Sequence, residues 1–347
     1  MKHFKLSIFI TTLSIIGMGF WGYHNGGVDS AIRTIFITLL LIFLEISFSF
    51  DNAVVNASIL KEWNQFWKNL FLTVGILIAV FGMRLLFPLL IVSKSADMSI
   101  DNVWKLAIYA PDEYSHILGM HHAEISAFGS MFLLLVFLNF IIDDEKKLHW
   151  FKFIEEYFSD LGRVRTLPTL ISLITLVTLV MFVEESKKFG VLWSGIWGII
   201  IFLTVRMVGD LLENRHSEKF MLVSNIAKGG IGAFIYLEIL DASFSFDGVI
   251  GSFAITTDII TIMVGLGVGA MFVRSITIYL VDEGTLDEYV YLEHGAHYAI
   301  GVLAILMLIT ILHHNIPEWV TGLVGIFFVL LSLYSSKKYI DKNFKIF

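Results

Sequence analysis

The chain contains no cysteine. That excludes disulfides, thiolate metal sites and cysteine nucleophiles. It is also poor in charge: 16% of its 347 residues are Asp, Glu, Lys or Arg, against about 25% in soluble domains. No HExxH and no P-loop occur, so zinc intramembrane proteolysis and ATP-driven pumping have no support in the motifs. GxSxG is missing as well. What is abundant is apolar: 56% of residues are hydrophobic and the mean hydropathy is +0.79. Runs near 20 residues recur along the whole length, which reads as an all-α polytopic membrane protein.

Inside two of those runs the chain repeats a phrase. Residues 44–52 read LEISFSFDN and residues 237–248 read LEILDASFSFDG. Glu45 and Asp51 fall in the first copy; Glu238, Asp241 and Asp247 fall in the second. Five ionised acids in two membrane spans would cost on the order of 12–17 kcal/mol if nothing compensated them. A cation is one compensation. Arg84, Arg206 and Arg274, which also fall within spans, are the other. Three arginines against five acids leave an acid excess.

The apolar runs predict ten spans, at about 5–23, 33–60, 69–93, 124–142, 168–184, 191–212, 229–256, 258–281, 296–313 and 318–335. The longest, 33–60, must tilt or be irregular in its polar middle. Segments 94–123 and 143–167 read as long loops, the second an interfacial amphipathic linker. Lys and Arg concentrate in the segments that share a side with the N-terminus, which predicts both termini in the cytoplasm. Other stretches repeat too. VGILIAVFGMR ending at Arg84 parallels VGLGVGAMFVR ending at Arg274, with Gly75 and Gly265 each nine residues before the arginine. The predicted architecture is therefore a 5+5 inverted repeat, 1–190 with its linker 143–167 and then 191–347. In such folds the binding site lies at the midplane, where interrupted helices meet.

Oxygen-only donors suit hard cations such as Mn²⁺, Mg²⁺ and Ca²⁺. The candidate ligands are Glu45, Asp51, Asn52, Glu238, Asp241 and Asp247. On a regular helix Glu45 and Asp51 point roughly 120° apart, so they share a site only if the helix is distorted between them. Arg84 and Arg274 are candidates for structural partners or fixed counter-charges. Glu124 and His297 occupy matching repeat positions and are candidates for counter-charge or proton coupling. His116, His121 and His122 beside Glu124, and His294 and His297 beside Glu293, are possible softer metal sites, although histidines near span ends more often bind nothing.

At these residues the chain resembles the TerC family of integral membrane proteins, named for tellurium resistance. Glu45, Asp51 and Asn52 match that family's E-x₅-D-N signature. Glu238, Asp241 and Asp247 match its E-x-x-D-x₅-D signature. FAITTD at Phe253–Asp258 and Arg274 are also similar. Gly248-Val249-Ile250 and Ile259 depart from the family's usual prolines, and the 94–123 segment and the HWF at 149–151 mark a divergent branch of the domain-of-unknown-function kind. The resemblance implies secondary export of a divalent cation, Mn²⁺ first and Ca²⁺ or Mg²⁺ next, across a bacterial cytoplasmic membrane, with protons as coupling partners and no bound cofactor, enzyme activity or nucleic acid. The alternative expectation is a non-transporting membrane partner in metal or tellurite stress resistance, or in metal loading of secreted proteins.

Overall fold

In the computed structural model, the described residues are 2–144, 146, 148–213, 230–253, 255–284, 288–312, 316 and 318–344. The side chains of 2, 48, 95, 208–213, 246, 247, 318, 319, 321 and 341–344 lie outside the description, so the Asp247 carboxylate does too. The described chain is helical, with no strand. Seven of its helices are long and apolar enough to cross a membrane, or eight if one bent pair is a single span. Large apolar side chains face outward, among them Phe20 at 73% and Phe43 at 67% exposure. The described charged side chains of the two phrases, Glu45, Asp51, Glu238 and Asp241, are inside. This is the distribution a bilayer requires, with oil outside and polar groups paired within.

The first of the seven, α1 (Lys5–Phe48), is a hairpin of two arms. Gly27 turns the chain at φ +74°, a left-handed conformation that glycine adopts without penalty. A Cβ at Gly22 would stand 2.7 Å from the Thr34 hydroxyl. On a straight helix those residues would be about 18 Å apart. Expected span 5–23 is therefore one arm, and the first part of expected span 33–60 is the other.

The second arm stops at Phe48. Ser49 leaves the helical conformation, with φ −103° and ψ 18°, and α2 (Phe50–Leu60) restarts the chain. The break falls inside the SFSFD phrase, where the spacing of Glu45 and Asp51 requires one. α3 (Gln65–Leu70) and α4 (Phe87–Ser95) are the ends of one rod, widened between them into π-helical turns at Phe71–Gly75 and Ile78–Leu86.

Several expectations are corrected. The 94–123 segment is not a loop. It folds into α5 (Ile100–Tyr109), capped by Ser99, and α6 (Pro111–Met120), started by its proline. After α7 (His122–Ile141) comes the short amphipathic α8 (Lys152–Asp160). α9 (Leu167–Phe182) has 16 residues and bends 105° from the Lys152–Arg163 segment, so span 168–184 is not an independent full-length crossing. α10 (Glu185–Glu213), α11 (Ile231–Ser252), α12 (Ile259–Asp282), α13 (Leu292–Ile311) and α14 (Glu318–Phe344) complete the described helices. α11 is continuous through the second phrase and carries no break like that at Ser49.

Three pairs of segments from the two halves run antiparallel. In the first pair Glu45 lies beside Gly248 while Asn52 bonds Asp241. In the second, Phe71 meets Arg274 while Val80 meets Gly267. In the third, α7 and α13, Phe140 stacks on His297 and Gly129 packs on Met307. The outer elements do not follow this pattern. The first arm of α1 leans on α12 through Ser7 and Ser275, whereas α10 leans on α7, where Gly190 packs on Glu124.

Candidate cation site

Both phrases converge on one buried layer. Arg84 and Glu45 form an ion pair, and Arg84 also donates to the Ser245 hydroxyl at 3.3 Å and the Ala79 carbonyl at 2.7 Å. Arg274 donates to both carboxylate oxygens of Glu238, to Asp241 at 3.2 Å and to the Phe71 carbonyl at 2.7 Å. Its guanidinium lies 3.9 Å above the Phe71 ring. Each arginine thus takes a carbonyl from the widened α3–α4 rod. Wide turns loosen the regular helix ladder, and the guanidiniums satisfy groups it exposes.

The halves are joined directly. The Asn52 amide donates to Asp241 at 2.7 Å, across 189 residues of sequence. Asp51 differs from the other described acids. It pairs with no guanidinium; its carboxylate accepts the Asn52 backbone N–H at 3.0 Å and lies against Gly325 of α14, where a Cβ would stand 2.5 Å from Asp51 Oδ2. Any side chain at 325 would displace that carboxylate.

Glu45, Asp51, Asn52, Ser49 and Ser245 line a cavity of about 60 Å³, walled by Leu41, Phe244, Leu266 and Leu303. It extends along α11 toward Ser252 and Ile255. The break at Ser49 is what lets Glu45 and Asp51 border the same space. Glu45, Asp51, Glu238 and Asp241 are all buried, as are both arginines. Among the described side chains, three of these four carboxylates share two guanidiniums, and Asp51 touches neither.

The described histidines do not gather into a metal-ligating group. Among the described residues no three His, Asp or Glu side chains group as metal ligands. His121 pairs with Glu124, and Glu124 packs against Gly190. The His297 Nδ1–H donates to the Glu293 carbonyl at 2.9 Å, and the ring stacks on Phe140 at 3.9 Å. Glu124 and His297, matched in sequence, serve different local contacts. The acids are guanidinium-paired as well: Glu45, on the cavity, by Arg84, and Glu238 with Asp241, outside the cavity lining, by Arg274.

Two sets of residues escape sequence reasoning. Asp258 caps α12 through the Ile260 N–H and also accepts from Trp21 of α1 at 2.9 Å, tying the hairpin to the second half. The Trp21 contact joins segments 237 residues apart in sequence, which no local pattern marks. Glu155 of α8 is fully buried, 2.9 Å from Lys146 and 3.4 Å from His294, with the Tyr298 hydroxyl donating at 3.2 Å. In the sequence it is one acid in a polar run.

A helical multi-pass membrane protein with a buried ionic layer at the meeting of its halves is the class that this arrangement defines. The chain belongs to the DUF475 family of proteins of unknown function, which matches residues 50–343. No curated protein and no solved structure matches it.

Proposed function

We propose that this protein is a secondary transporter that exports a hard divalent cation, Mn²⁺ foremost, through the layer formed by its two phrases. The observation that carries the reading is the charge balance. Among the described side chains, four buried carboxylates stand against two guanidiniums, an excess of negative charge beside a polar cavity that a divalent ion would offset. Burying those charges unpaired is costly, so the layer favours either a bound cation or protons on the acids. Exchange of the one for the other is the chemistry of proton-coupled export.

In this reading Asp51, Asn52 and Glu45 offer oxygens directly to the cavity. Glu238 and Asp241 stand behind Asn52, outside the cavity lining; Arg274 is their fixed counter-charge, as Arg84 is that of Glu45. Asp247 is a further ligand by its place in the phrase. The antiparallel pairing of three segments supports an inverted repeat, the architecture of alternating access around a central site. The likeness of both acid signatures to the TerC family points the same way.

The test is Mn²⁺ flux in proteoliposomes holding only this chain, with a pH gradient imposed. Asp51→Asn is expected to abolish flux while the protein still inserts and folds. Flux in that variant equal to the parent's overturns the site assignment. Absence of flux in the parent, for Mn²⁺, Mg²⁺ and Ca²⁺ alike, favours the non-transporting membrane partner instead.

A further inference from the structure

We infer that Asn56 is a further cation ligand, one turn beyond the site on the side away from the cavity; this rests on the transport reading above. Asn56 is fully buried, and neither its side-chain oxygen nor its nitrogen has a partner. Buried carboxamides without partners are rare because each polar atom has lost its water and gained nothing. Asn56 stands four residues after Asn52 on α2, so the two share a face. Asn52 spends its amide nitrogen on Asp241, and its oxygen is also without a partner.

The rest of α2 makes the pattern specific. Ala53, Val54, Val55, Ala57 and Leu60 are buried apolar residues, and Ser58 returns its hydroxyl to the Val55 carbonyl at 2.8 Å. Only the asparagines leave polar atoms unused on this helix. The cavity lining includes Asn52 but not Asn56, and runs the other way, toward Ser252 and Ile255. By the antiparallel register, in which Asn52 meets Asp241, Asn56 lies at the level of Leu237 and Glu238. An ion leaving the cavity toward the Lys61 end would meet a neutral oxygen about 6 Å further on. A neutral amide oxygen is a weak enough ligand to release what it holds.

The experiment compares the full parent chain with Asn56→Leu and Asn56→Asp in proteoliposomes, using MnCl2 as the only metal, with thermal unfolding recorded in parallel. Asn56→Leu is close in size and removes unsatisfied polar atoms, so its Tm should be equal to or above the parent's. Its Mn²⁺ flux should fall by about tenfold or more. Asn56→Asp keeps an oxygen in place and should retain flux above that of Asn56→Leu. Parent-like flux in Asn56→Leu overturns the inference. So does a lowered Tm in that variant, which would make Asn56 the holder of a structural water. Equal loss in both variants overturns it too. Asp51→Asn, run beside them, separates failure of this inference from failure of the transport reading.

Discussion

Arg84 and Arg274 are each 2% exposed, and each satisfies a carboxylate and a backbone carbonyl at once. Such pairs add little net stability when intact, because desolvation offsets attraction. Breaking one is different. Arg84→Leu leaves Glu45 buried beside an apolar side chain and should destabilise the fold by on the order of 3–5 kcal/mol. Adding Glu45→Leu should recover most of that loss. A double-mutant cycle on thermal unfolding measures the coupling; additive losses would mean that the pair is not coupled. The acids and arginines were conspicuous in the sequence because charge within an apolar run is costly. Which acid meets which arginine was not, since Glu45 and Arg84 sit on different helices 39 residues apart.

At the scale of elements, the segment between α7 and α9 is anchored by a buried acid, Glu155, with Ser159 donating to the Asp143 carbonyl and Phe158 packed on the core. Exposed Phe153 and Tyr157 face outward on α8 while Glu155 points in, which suits a helix lying at a membrane surface. Burial alone would raise the Glu155 pKa, but His294 and Lys146 override it and hold the carboxyl at about 2. Burial pulls the Lys146 ammonium below its usual value, against the opposing pull of Glu155. A depressed acid stabilises the folded form fully above its ordinary value of 4.5 and loses that contribution as the pH falls toward 2. Docking of 152–160 should therefore weaken over that window. Glu155→Gln should loosen it at neutral pH by about 1–3 kcal/mol. Hydrogen exchange of 152–160 should quicken in that variant while α7 and α13 stay protected; unchanged exchange would show that the contact holds nothing. The sequence marked this stretch as amphipathic and interfacial, which needs only local periodicity. It did not mark Glu155, because its partners Lys146, His294 and Tyr298 come from two other segments.

At the scale of the whole molecule, the antiparallel pairs place 61–64 and 255–258 at opposite ends of the bundle. The absence of cysteine makes that directly measurable. Glu62→Cys and Thr257→Cys, introduced singly, should react with a membrane-impermeant thiol reagent from opposite faces. Labelling of both from one face would remove the inverted arrangement and the alternating access built on it. The expected five-by-five count is not what the described helices display: seven to eight candidate spans, one of them a hairpin, with α9 short and bent. Hydropathy counts apolar stretches but is blind to a turn at Gly27 or a bend before Leu167.

By itself the sequence determined that this chain lives in a bilayer, that it carries acids too costly to leave alone, and that its two halves share a phrase. Those are properties of composition, spacing and repetition, and each is written locally. Only the tertiary structure decided that Ser49 breaks the helix, that Asn52 reaches Asp241, that Asp51 has no arginine and that Asn56 has no partner. Partner choice depends on which faces of distant helices meet, and packing settles that after every local preference has been met.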